Sequence, residues 1–137
     1  MKPEVAHMST DKLTDDLRVF ILSIPSIPYL EAILLFKGPP IKPWEPEDIG
    51  RRLYLAKDQV KVILRKLCTE RICSTAPGRP GHYIYKPESP ELDDLINRLI
   101  NFYAHNLIEV THLIHANTSQ KNVQQYADAF KWRGTGK

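Results

Sequence analysis

The chain has 137 residues, of which 42% are hydrophobic and 26% charged, and it carries a net charge of +3. That is the composition of an ordinary soluble globular protein with one core and an extension. No apolar run approaches the roughly 20 residues of a bilayer span, the first ten residues lack a secretory apolar stretch, and the two cysteines, Cys68 and Cys73, suit a reducing compartment better than a disulfide framework. A cytoplasmic location with no membrane partner is therefore expected.

Charge is unevenly distributed. Residues 1–50 net −3, residues 51–86 net +7, residues 87–117 net −4 and residues 118–137 net +3. A basic block between two acidic ones suggests one face for a polyanion and a different task elsewhere.

In chain order, residues 1–9 show no periodicity and are expected to be disordered. Leu13, Leu17, Phe20 and Ile21 then fall at helical spacing, which predicts an amphipathic helix over 10–23, capped by Ser9 or Thr10 and ended by Pro25. Ser26 caps a second, mostly apolar helix, IPYLEAILLFK, that Gly38 stops. Pro39, Pro40 and Pro43 make 38–44 a loop or short extended segment, with Trp44 pinned to the core. A third helix starts at Glu45-Pro46 and a fourth near Ala56, the latter with Val60, Ile63, Leu64 and Leu67 inward. Strands are predicted over 72–75 and 83–85, joined by the turn-forming APGRPGH. A single long helix is predicted over 90–115, and a short one over 119–131.

Helix, turn, helix and hairpin in that order are the signature of a winged helix-turn-helix, an architecture that often sets one helix in the DNA major groove. The fold class expected is mainly α with a small β-hairpin (α+β). Its parts would be a disordered N-terminus (1–9), a winged domain with an N-terminal helix (10–88), a long dimerisation helix (89–117) and a C-terminal helix and tail (118–137).

With the apolar stripe of 56–70 inward, Asp58, Lys61, Val62, Arg65 and Thr69 point outward, and Lys57 and Lys66 flank them. Arg65 suits a guanine edge or a phosphate, and Lys61 a phosphate. Arg79, between Gly78 and Pro80, suits a narrow minor groove, and Arg51 and Arg52 are candidate phosphate contacts. The same residues also read as a solvated surface, and Asp58 and Val62 weaken the DNA reading. Gln59 lies nearer the flank.

On the long helix the stripe Leu92, Leu95, Leu99, Phe102, Tyr103, Val110 and Ile114 is wider than one small domain would cover, so a homodimer is expected to form there. His105, Glu109 and His112 share the opposite face at i, i+4 and i+7, but polar residues opposite an apolar stripe are usually its wet side, and no metal or cofactor is expected. Cys68 and Cys73 are read as packing residues rather than a redox pair. No nucleophile elbow, phosphate-binding loop or paired carboxylates occur, so no enzymatic activity is expected.

The 45–87 block resembles the winged domains of bacterial transcriptional regulators, broadly of the MarR and ArsR kind. IPSIPYLEAILLF (24–36), the helices of 45–67, LIEVTHLIHAN (107–117) and YADAFKWR (126–133) are similar to a small group of bacterial winged-helix proteins. The resemblance implies a DNA-binding regulator and brings no ligand or catalytic residues. Glu45 and Ala56 depart from it, standing where Ser or Thr caps are usual. The function expected is a dimeric transcriptional regulator of double-stranded DNA. The alternatives are a protein-interaction adaptor, or a sensor whose small-molecule effector the sequence does not identify.

Overall fold

The structure, a computed structural model, describes residues 12–116. The expected disordered N-terminus, the short helix at 119–131 and the YADAFKWR ending lie outside the described residues. The chain divides into two compact units, one of Pro28–Ile100 and one of Met1–Ile27 with Asn101–Lys137.

The first unit is a winged helix-turn-helix. Helix α2 (Ile27–Lys37) buries Tyr29, Leu30, Ala32, Ile33 and Phe36 along one broad face, and its other residues are half-buried apart from the exposed Glu31, so it is a core helix rather than a surface one. Gly38 closes it, its N–H donating to Leu34 O at 3.0 Å. Helix α3 (Pro46–Leu53) has proline in its first turn, with Glu47 and Asp48 at the positive end of its dipole. Helix α4 (Lys57–Thr69) packs against it. The elbow between them is tight. Leu55 N–H donates to Gly50 O at 2.9 Å, and a Cβ at Gly50 would lie 3.1 Å from the Leu55 carbonyl.

Neither Glu45 nor Ala56 caps its helix through its own side chain. At α4 the work passes to Gln59, whose Oε1 accepts from the Ala56 N–H at 2.9 Å. Gln59 is thus a capping residue. Ile49 from α3 and Val60, Ile63, Leu64 and Leu67 from α4 are all buried, in the register that the sequence pattern predicts.

Strands β1 (Cys73–Thr75) and β2 (Tyr83–Tyr85) pair antiparallel, with Ser74 opposite Ile84. Trp44 adds an isolated bridge on the other edge of β2: its N–H donates to Tyr83 O at 2.7 Å and its carbonyl accepts from Tyr83 N–H at 2.8 Å. The loop that pins Trp44 to the core is therefore also the outer edge of the wing. Helix α5 (Pro90–His105) is capped by Ser89, whose Oγ accepts from Leu92 N–H at 3.1 Å.

The second unit includes α1 (Asp15–Ser23) and α6 (Leu107–Ala116). Helix α1 starts later than the spacing suggests, with Thr14 as its cap, and the expected caps Ser9 and Thr10 lie outside the described residues. Thr14 Oγ1 and Asp16 Oδ1 both accept from Leu17 N–H, at 3.4 and 2.8 Å, and Asp15 and Asp16 occupy the first turn.

The single helix expected over 90–115 is instead two, α5 and α6, broken at Asn106. The Asn106 Nδ2 donates to Phe102 O at 3.0 Å, taking the acceptor that a continuous helix would give to the Asn106 backbone. The backbone N–H reaches Tyr103 O instead, at 3.3 Å, and the Asn106 carbonyl starts α6 by accepting from Val110 N–H at 3.0 Å. Among the described residues no single helix is long and apolar enough to cross a membrane.

Candidate nucleic-acid interface

The exposed side of α4 and the hairpin meet at an open groove of about 670 Å³. Lys57, Lys61 and Arg65, spaced four apart on one face of α4, form its basic wall. Leu64 and Cys68 contribute from the same helix, Pro46 from the start of α3, and Thr75 and Tyr83 from the hairpin. Three residues chosen from the helical wheel are thus brought together. Thr75 and Tyr83 were not anticipated, although the alternation of a short strand does turn both toward one side of the sheet.

The electrostatics separate these cations from the rest. Lys66 pairs with Glu70 at 3.2 Å, Arg71 with Glu88 at 3.5 Å, and Arg51 with Asp48. Among the described residues no acid forms an ion pair with Lys57, Lys61, Arg65 or Arg79. Arg52 is engaged differently, with its guanidinium 5.4 Å from the centroid of the Trp44 ring, over which Lys42 Nζ also sits at 4.5 Å. Asp58 and Val62 lie exposed on α4, as the helical wheel indicates, Val62 at 64%.

The hairpin tip is built from two consecutive turns that share Arg79. In the first, Arg79 N–H donates to Ala76 O at 3.2 Å, with Pro77 and Gly78 between them. In the second, His82 N–H donates to Arg79 O at 3.0 Å, with Pro80 and Gly81 between them. Each turn has proline second and a glycine of positive φ third, 73° at Gly78 and 79° at Gly81. This is the residue order that a type II turn requires. Open space surrounds both glycines, so backbone conformation alone demands them. Arg79 is exposed on a backbone fixed through both its N–H and its carbonyl.

Two other sequence candidates change character. His105 ends α5 while Glu109 and His112 lie on α6, so the i, i+4, i+7 register of a continuous helix is interrupted between them. His105 Nδ1 lies 3.0 Å from Asn101 O. Burial pushes the Cys68 thiol up, and pushes Cys73 up much further, with the neighbouring Cys68 adding to the shift.

The residues expected to dimerise divide as well. Leu99, Phe102, Val110 and Ile114 are buried within the chain itself and present no free surface. Leu92, Leu95 and Tyr103 remain partly exposed. The large apolar side chains open to water in α6 are Leu107 and Ile108, at 53% and 70%.

No family model matches the chain, and no curated protein matches it. Among solved structures it is similar to the crystal structure of transcriptional regulator Tm0710 from Thermotoga maritima, at 13% identity and a TM-score of 0.41, over 82% of this chain and 80% of that one.

Proposed function

We propose that this chain is a regulator of transcription that binds double-stranded DNA as a dimer, with α4 in the major groove and Arg79 at the flanking minor groove. The observation that carries this reading is the set of Lys57, Lys61 and Arg65 on one groove wall, none ion-paired to an acid among the described residues. Three such cations beside a proline-stiffened hairpin suit the phosphates of a duplex, and each neutralised phosphate releases counterions. Arg65 is the base-reading candidate because its planar guanidinium matches guanine O6 and N7. Arg51 and Arg52 take a lesser part, since one is paired with Asp48 and the other lies against Trp44. The reading assigns the chain no catalytic step and no cofactor.

Mobility shifts against genomic fragments over a range of salt test this. Binding that weakens as salt rises, and weakens further in Arg65→Ala and Arg79→Ala, is the expected result. A chain that shifts no fragment at low salt overturns the reading. One observation favours a second reading: Val62 exposes an apolar surface in the middle of the helix that would enter DNA. A protein-interaction adaptor would use that side chain as an anchor, and capture of one stoichiometric partner without DNA affinity would support it.

A further inference from the structure

The described residues include two non-glycine positions with left-handed backbone, Tyr54 at φ 57° and Arg71 at φ 62°. This conformation is costly for any residue with a Cβ, and a bulky one is a true outlier there. At Arg71 the surroundings account for it. The guanidinium pairs with Glu88 at 3.5 Å, the carbonyl accepts from Glu88 N–H at 3.0 Å, and the N–H donates to Cys68 O at 3.1 Å.

At Tyr54 only the backbone is accounted for. The residue ends α3, and its N–H donates to Gly50 O to complete the elbow before α4. That geometry asks for a left-handed residue, and glycine would supply it with least strain. The chain places a tyrosine there instead. Among the described residues its side chain makes no hydrogen bond or ring contact, and it is 93% exposed. Packing therefore does not offset the strain, and an aromatic ring is held out in water at the tip of the helix–helix turn. Strain kept at an exposed position points to a function outside the folded chain.

The surroundings identify the partner. In chain order Tyr54 lies between Arg52 and Lys57, and its neighbour Leu55 lines a groove at the elbow together with Arg51 and Lys57, the last also a wall residue of the α4 groove. A polyanion drawn to Lys57, Lys61 and Arg65, which pair with no acid among the described residues, would reach the turn that carries the phenol. We infer that Tyr54 is a neutral anchor for the DNA sugar–phosphate backbone, its hydroxyl donating to a phosphate oxygen and its ring lying along the deoxyribose. The inference rests on the DNA-binding reading and adds to it a contact that carries no charge. Phosphate contacts of this kind set orientation rather than sequence.

A neutral anchor leaves a signature that separates it from the lysines. Only charged contacts release counterions, so the salt slope of log affinity counts cations and ignores Tyr54. Fluorescence anisotropy of a labelled random-sequence duplex, titrated with the full chain over a range of NaCl, reads both quantities. Tyr54→Phe is expected to weaken binding on the order of tenfold, the low end for one hydrogen bond to a charged acceptor, with the salt slope unchanged. Lys61→Ala is expected to flatten the slope by about 0.9. Tyr54→Gly is expected to bind no better than Tyr54→Phe while its Tm stays at or above that of the parent, because the strain is gone. If Lys61→Ala flattens the slope but both Tyr54 variants bind like the parent, the Tyr54 assignment falls and DNA binding stands. If the parent shows no salt-dependent binding, both fall together.

Discussion

The Tyr85 hydroxyl donates to Asp93 Oδ1 at 2.5 Å and so fastens β2 to α5. Lys37 joins them from the end of α2, its Nζ 3.1 Å from the same oxygen and 4.8 Å from the centroid of the Tyr85 ring. Three elements of the winged unit thus converge on one carboxylate. The Tyr85 hydrogen bond, then that of Lys37, hold the Asp93 carboxyl below its ordinary value, with a further contribution from Asn97. A carboxylate whose folded value is depressed stabilises the fold above its unfolded value of about 3.9, and that contribution is lost as pH falls through the folded value. Urea denaturation of the parent and of Asp93→Asn is expected to differ at neutral pH and to converge in acid. Tyr85→Phe is expected to cost about 1 kcal/mol at neutral pH, less than a buried bond to a charged group because the Asp93 side chain is 38% exposed. A gap between parent and Asp93→Asn that stays constant down to the acid transition would contradict this account.

The paired turns at the hairpin tip give a second prediction. Gly78 and Gly81 hold positive φ in open space, so alanine at either meets no clash and is strained only through its backbone. Each substitution is expected to cost about 1 kcal/mol locally. Amide exchange reads the change where it occurs, at the Arg79 and His82 N–H groups that close the two turns. Faster exchange confined to these amides, with weaker DNA binding and an intact α4, is the expected pattern. Unchanged exchange in Gly81→Ala would show that the turn does not depend on glycine.

Much of the winged unit was legible in the sequence, and the parts that were not share a cause. Periodicity located α2 to α4 and the hairpin because burial follows it directly, as at Val60, Ile63, Leu64 and Leu67. The same logic misled at Asn106. The apolar stripe continues through that position, and the break comes from one side-chain amide capturing the Phe102 carbonyl, which no hydrophobic count detects. By its width the stripe asks for a second copy, yet Leu99, Phe102, Val110 and Ile114 are covered within one chain. In the candidate site, helical spacing was enough to group Lys57, Lys61 and Arg65. The state of Arg52 was not accessible, because the fold rather than a pattern brings Trp44 to it, whereas the pairing of Arg51 with Asp48, three residues apart on one helix, is a spacing the sequence does carry. The PG-x-PG spacing at the hairpin tip did hold the tandem turns, since proline followed by glycine encodes the dihedrals of each one.

The two thiols are expected to be slow. Burial raises both above the ordinary thiol value, Cys73 far above it, which leaves little thiolate in the folded chain. With a disulfide reagent at mildly alkaline pH, Cys68 should react slowly and Cys73 only on unfolding, while both react at once in guanidinium. The sign for stability follows. Below about pH 8.5 both folded and unfolded thiols keep their protons, and above it the unfolded thiols ionise first, so stability falls as pH rises from there. Rapid reaction of both thiols in the native chain would overturn this assignment.

The last prediction concerns the dimer that the DNA-binding reading requires. With four of the expected interface residues buried inside the chain, the apolar surface that α6 still offers a second copy is that of Leu107 and Ile108. Ile108→Glu is chosen because the side chain is 70% exposed, so the charge remains hydrated in the monomer and the fold is expected to keep its Tm. At a symmetric interface the same glutamate enters twice and faces its own copy, which compounds desolvation with repulsion. Sedimentation velocity is expected to show a dimer for the parent and a monomer for Ile108→Glu. A dimer presents two α4 helices, which suit half-sites about 34 Å apart, one turn of duplex. The monomeric variant should therefore also lose affinity for a two-half-site fragment while keeping its affinity for a single one. A variant that remains dimeric would place the interface away from Ile108, and a monomeric parent would remove the two-half-site geometry from the reading.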